Sequence, residues 1–210
     1  MESDPGSSLV ASPALLINSP TRRRIRLLLV NPRFPESFWS FRWAVERVLP
    51  GKRAVNPPLG LATLAALCPP HWDVEIVDEN VETIPLHPDA DIIGICGMGA
   101  QFARQSELLA YYRGRGHFVV AGGSYASLCP EKYAGLADCV VAGEAERIWP
   151  QFCADLEAGQ VQHLYREQGR SPSIGETPRR CSSPAPSPSR WWWWASSSSS
   201  PCNTSPATTG

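Results

Sequence analysis

The chain has 210 residues, enough for one good domain with an appendage, and 43% of them are hydrophobic, enough for a core. A formal net charge of -1 gives no electrostatic case for nucleic acid or an anionic membrane, and no apolar run approaches the roughly 20 residues that span a bilayer. The seven cysteines are scattered and show no C-x-x-C or C-x-x-x-C-x-x-C spacing; that excludes a disulfide scaffold and a thiolate metal or cluster site, and points to buried, reduced thiols in a cytoplasmic protein.

Residues 1–22, rich in Ser, Pro and small side chains, read as a disordered leader. Arg22-Arg23-Arg24 precedes an apolar run too short for a secretion signal, and reads as the basic approach to a first strand. That strand covers residues 25–30 and ends at Asn31-Pro32. The connection over 31–56 carries Phe34, Phe38, Trp39, Phe41 and Trp43. Its length predicts either a lid or wall at a site, or a short amphipathic helix over 38–48 packed on the sheet.

Pro57-Pro58-Leu59-Gly60 opens a helix that runs to Leu67 and stops at Cys68-Pro69-Pro70. Strand two (74–77) enters Asp78-Glu79-Asn80, and strand three (92–96) enters Cys96-Gly97-Met98. The short span 79–90, with two prolines, leaves room only for a loop or brief helical turn as the crossover. A helix over 103–115 shows Leu108, Leu109 and Tyr112 on one face and ends at Gly116. Strand four (118–121) enters Gly122-Gly123-Ser124, and a helical turn follows at 130–133. Strand five (139–142) enters Gly143-Glu144-Ala145-Glu146, and a last helix over 148–156 ends near Gly159. This alternation predicts an α/β, Rossmann-like (flavodoxin-like) five-stranded parallel sheet with helices on both faces, filling a domain over 23–165.

The tail, 166–210, holds Ser-Pro repeats, the run Trp191-Trp192-Trp193-Trp194 and five consecutive serines. Almost without aliphatic residues, it cannot offset its ordering entropy and is expected to be disordered. Tryptophan has the single codon TGG, and a shifted TGG run encodes valine or glycine. A reading-frame error or truncated gene is therefore the preferred account of the tail, and a disordered linker with an aromatic patch is the alternative.

Ligands of open α/β sheets bind beyond the carboxyl ends of the strands. The residues there are Asn31, Pro58, Gly60, Asp78, Cys96, Gly97, Met98, Gly122, Gly123, Ser124, Gly143 and Glu144. Strand one is followed by no G-x-G-x-x-G, which argues against a dinucleotide, and there is no P-loop. Glu144 either bonds a ligand or caps the following helix, and Asp78 either contacts a ligand or shapes a turn. His71, His87, His117 and His163 read as solvated or packed imidazoles. No nucleophile–base pair is legible.

Six segments in order carry a resemblance: Leu28-Leu29-Val30-Asn31-Pro32, Asn56-Pro57-Pro58-Leu59-Gly60-Leu61-Ala62, Val77-Asp78-Glu79-Asn80, Ala90-Asp91-Ile92-Ile93-Gly94-Ile95, Ala121-Gly122-Gly123 and Val141-Ala142-Gly143-Glu144-Ala145-Glu146. Over residues 25–159 the chain resembles the N-terminal cobalamin-binding domain of B12-dependent radical S-adenosylmethionine proteins. The resemblance implies that Gly122-Gly123 lets the nucleotide tail of cobalamin pass close to backbone. Cys96-Gly97-Met98 stands where S-x-L belongs, so a tail-binding hydroxyl is missing, and D-x-H-x-x-G is absent. The family often lacks that histidine, which implies cobalamin without a protein histidine on cobalt. In the family a barrel follows, in which a [4Fe–4S] cluster on C-x-x-x-C-x-x-C cleaves S-adenosylmethionine; those cysteines are absent here. The expectation is thus a cobalamin-binding, and in that sense metal-binding, domain. By itself it is not catalytic, and it is served by a radical barrel in cis or trans. The alternative is a standalone α/β ligand-binding or sensing module.

Overall fold

The structure is a computed structural model that describes residues 24–37 and 58–167, together with Ser40, Trp43, Arg47 and Val48. The expected leader, the aromatic stretch around 38–57 and the tail beyond Glu167 lie otherwise outside the described residues.

Six strands form one parallel sheet: β1 (Arg26–Asn31), β2 (Asp73–Asp78), β3 (Ile92–Cys96), β4 (Phe118–Gly122), β5 (Cys139–Ala142) and β6 (Leu164–Arg166). Their order is β2-β1-β3-β4-β5-β6, with every neighbouring pair parallel. The central strands are buried on both faces and read as unbroken apolar runs, as parallel sheets require. The sheet therefore has one strand more than the expected five. Leu-Tyr-Arg is too short to register as an apolar run, and only Tyr165 of it is buried.

Among the described residues four helices cover the faces: α1 (Leu59–Leu67), α2 (Phe102–Arg113), α3 (Ser124–Leu128) and α4 (Ala145–Glu157). Successive strand residues point to opposite faces. Leu27 and Leu29 join Leu61 of α1 and Ile148, Trp149, Phe152 and Leu156 of α4 on one face. Leu28 and Val30 join Leu108, Leu109 and Tyr112 of α2 and Ala126 of α3 on the other. The 3-10 turn Pro130–Tyr133 stands at its expected place, but α3 precedes it. The β2–β3 crossover is an open loop. It is pinned by buried Ile84 and by hydrogen bonds from the Tyr112 and Tyr111 hydroxyls to the Pro85 and Leu86 carbonyls, at 2.7 and 3.3 Å. Among the described residues no helix is long and apolar enough to cross a membrane.

Candidate functional site

All six strands are parallel, so all carboxyl ends meet at one edge. Helices that return the chain between parallel strands run opposite to them, so α1 also starts there. All twelve candidate residues are thus gathered at one edge, but they differ in what their atoms do.

Asn31 and Asp78 are paired in register at the ends of β1 and β2. Asn31 Nδ2 donates to Asp78 Oδ1 at 3.0 Å, and the same oxygen accepts from Asn80 N at 3.0 Å and Asn80 Nδ2 at 2.7 Å. Asp78 is buried, so these bonds offset the loss of hydration of its carboxylate. Glu79 and Asn80 hold the chain leaving β1. The Arg33 N–H donates to Glu79 Oε2 at 3.0 Å, and the Phe34 N–H donates to Asn80 Oδ1 at 2.9 Å. The Arg104 guanidinium grips both Glu79 oxygens. Burial pushes the Glu79 carboxyl upward, but the bonds from Arg104 and Arg33 outweigh it and hold the group below the usual carboxylate value.

Two buried glutamines organise the neighbouring loop. Gln101 Nε2 donates to Asn31 Oδ1 at 3.1 Å and to the Pro32 carbonyl, while its oxygen accepts from Met98 N at 3.0 Å. Gln105 Nε2 donates to the Ile95 and Gly122 carbonyls at 2.8 and 3.1 Å, clasping the ends of β3 and β4. Neither glutamine was singled out from the sequence. The available signal was position: Gln105 lies on the apolar stripe of α2 with Leu108, Leu109 and Tyr112.

The glycines at this edge divide in two. Gly123 has φ +103°, and an added Cβ would press on the Gly97 carbonyl and stand 2.7 Å from Gly97 N. Its conformation and its close approach to the β3 loop both need glycine. Gly97 N in turn donates to the Gly122 carbonyl at 3.1 Å. At Gly122, by contrast, the nearest atom to an added Cβ is the Val141 carbonyl oxygen at 3.9 Å, so no neighbour in the chain demands glycine there. Gly143 has φ +124°, and an added Cβ would meet Glu167 Cβ at 2.7 Å. Its N–H donates to Ser127 Oγ at 2.9 Å, and the Glu144 N–H donates to Glu167 Oε2 at 3.2 Å.

Ser124, Gly143, Glu144, Gly60 and Met98 are exposed, Pro58, Cys96, Gly122 and Gly123 are half-buried, and Gly97 is buried. Glu144 precedes α4 but makes no side-chain capping bond. Burial pushes the Cys96 thiol up to about 11, so it stays neutral at ordinary pH.

The four histidines stand at the opposite edge. His71, His117 and His163 each lie one or two residues before the first residue of β2, β4 and β6. His87 follows Leu86, whose carbonyl is bonded by Tyr111 near the end of α2. His71 pairs with Glu157 at 2.7 Å, and His117 and His163 bond the Ala90 and Asp138 carbonyls. Among the described residues no group of three or more His, Cys, Asp or Glu is placed to hold a metal ion.

Residues 53–152 match the family model of the B12 binding domain. An uncharacterised methyltransferase of Synechocystis sp. is 33% identical over 157 residues, which are 73% of this chain and 29% of that protein. The bacteriochlorophyllide d C-8(2)-methyltransferase of Chlorobaculum tepidum is 33% identical over 121 residues, 57% of this chain and 27% of its own length. The hopanoid C-2 methylase of Rhodopseudomonas palustris is 31% identical over 133 residues, 62% of this chain and 25% of its own length. The chain therefore spans less than a third of each of these relatives.

Proposed function

We propose, from the match of residues 53–152 to the B12 binding domain, that cobalamin lies on the carboxyl edge of the sheet and that its tail passes over Gly122. The observation that carries this placement is the unfilled space at Gly122, beside a Gly123 that is already committed to the β3 loop. In this reading Ser124, Met98, Gly60, Pro58, Gly97, Cys96 and Glu144, at the same edge, are contact residues for the cofactor, and Gly143 lets the chain turn past it. Asn31 and Asp78 act one step removed: their polar atoms are engaged with each other and with Asn80 and Gln101, so they set the shape of the edge.

Cobalt receives no protein histidine in this reading. The support is topological, since every histidine of the chain stands at the amino edge of the sheet. When bound, cobalamin supplies methyl-transfer chemistry, and the protein supplies binding and orientation. The whole protein to which this domain belongs is, in our reading, a methyltransferase like its relatives. A radical barrel in cis would bind the [4Fe–4S] cluster and S-adenosylmethionine and choose the substrate. A cytoplasmic location fits the reduced thiols.

The test is titration of the full 210-residue chain with hydroxocobalamin, followed by desalting and an absorption spectrum. Retained cobalamin whose spectrum is unchanged when all four histidines become alanine is the expected result. Loss of cobalamin from a folded four-histidine variant would overturn the histidine-free site. Loss from the folded parent chain would overturn autonomous binding.

A further inference from the structure

On the face of the sheet that carries α1 and α4, one stripe of α4 meets the end of α1 residue by residue. Trp149, Cys153 and Glu157 are four apart and so share a helix face. The Trp149 indole N–H donates to the Cys68 sulfur at 3.2 Å. One turn on, Cys153 is buried in the core cluster against which Cys68 packs. A further turn on, Glu157 Oε1 accepts from Trp72 Nε1 at 2.8 Å and pairs with His71 at 2.7 Å. Cys68 caps α1, and its own thiol donates to the Leu64 carbonyl at 3.3 Å. The Cys68 sulfur thus faces the α4 stripe that carries Cys153. Cys153 is 2% exposed, whereas Cys68 is only half-buried and is the more accessible residue of the two.

We propose that Cys68 and Cys153 form a redox-sensitive pair, which a peroxide closes into a disulfide that clamps α1 to α4. The peroxide oxidises the Cys68 thiol to a sulfenic acid and leaves as water. The Cys153 sulfur then attacks the Cys68 sulfur; the S–O bond breaks, the S–S bond forms, and hydroxide departs with the Cys153 proton as a second water. The two sulfurs together lose two electrons and two protons, and the peroxide takes both. The neighbouring Cys68 and burial push the Cys153 thiol upward, so it stays protonated and waits for the activated partner. The bridge closes a loop of more than eighty residues around β2–β5, the kind of closure that restricts an unfolded chain most. It also fixes the helix whose first turn stands at the carboxyl edge.

The experiment treats the full chain with hydrogen peroxide, blocks remaining thiols by alkylation, and maps peptides by mass without reduction. The expected result is a linked peptide pair holding Cys68 and Cys153, which a thiol reductant reverses. The melting midpoint should rise by on the order of 5 °C on oxidation, and Cys68→Ser should abolish that rise. In Cys153→Ala, Cys68 should proceed to sulfinic acid instead. Sulfinic acid at Cys68 in the parent chain with Cys153 still a free thiol, or an equal rise in Cys68→Ser, would overturn the proposal.

Discussion

Tyr133 donates its hydroxyl hydrogen to the Gln105 side-chain oxygen at 2.8 Å, with both side chains fully enclosed. The bond fixes the amide so that its nitrogen faces the Ile95 and Gly122 carbonyls. Burial pushes the Tyr133 hydroxyl well above its ordinary value, so it remains a donor at all working pH values. The carboxyl edge between β3 and β4 is thus set from beneath by a polar pair in an otherwise apolar layer.

Gln105→Leu is expected to destabilise the fold by about 2–3 kcal/mol, because it strands the Tyr133 hydroxyl in a dry site and removes the clasp on the two strand ends. Tyr133→Phe should cost about 1–2 kcal/mol. Urea unfolding of both single variants and the double variant should give a double-variant loss smaller than the sum. Full additivity would show that the pair does not act as one unit.

The adjacent glycines make opposite predictions. Gly123→Ala forces a side chain into the left-handed region and into the Gly97 backbone, and should destabilise by roughly 2–4 kcal/mol. Gly122→Ala meets nothing closer than 3.9 Å and should leave the melting midpoint within about 2 °C of the parent. It should nonetheless weaken retention of cobalamin on desalting. Unchanged retention in Gly122→Ala would remove that residue from the tail path.

Five strands were legible because each is an apolar run ended by glycine or a polar turn, and their edge followed from parallel topology alone. β6 escaped because Leu164 and Arg166 are exposed, leaving Tyr165 as its single buried residue. Within the edge, residue type was legible and role was not. Asp78 reads equally as a ligand contact or a turn former until Asn31 and Asn80 are seen on its oxygen. Gln101 resembles a solvated residue of a helix start, and Gln105 is betrayed only by its place on the apolar stripe of α2; their tertiary partners reveal both as buried struts.

Acid should loosen the chain leaving β1. The Glu79 carboxyl is lower in the folded state than its ordinary value of 4.5. A carboxyl lowered by folding adds stability above its unfolded value and loses it as pH falls through the folded value. The contribution of Glu79 is therefore complete at neutral pH and fades below 4.5. Glu79→Gln should lower stability at pH 7 by about 1–3 kcal/mol and flatten the acid limb of a stability–pH curve. An acid limb of unchanged slope would assign the dependence to other carboxylates.

The end of β6 offers the last test. Glu167 Oε2 accepts the Glu144 N–H at 3.2 Å, the Glu167 N–H donates to the Ala142 carbonyl at 3.1 Å, and among the described residues Oε1 is buried without a partner. Glu167→Gln keeps an oxygen for Glu144 and removes the charge. Glu167→Ala removes the acceptor and empties the space against which Gly143 turns. The alanine variant should therefore lose about 1 kcal/mol or more, and the glutamine variant less. Amide exchange at Glu144 should quicken in the alanine variant alone. Equal exchange in both variants would mean that charge, rather than the accepting oxygen, holds the β5–α4 turn.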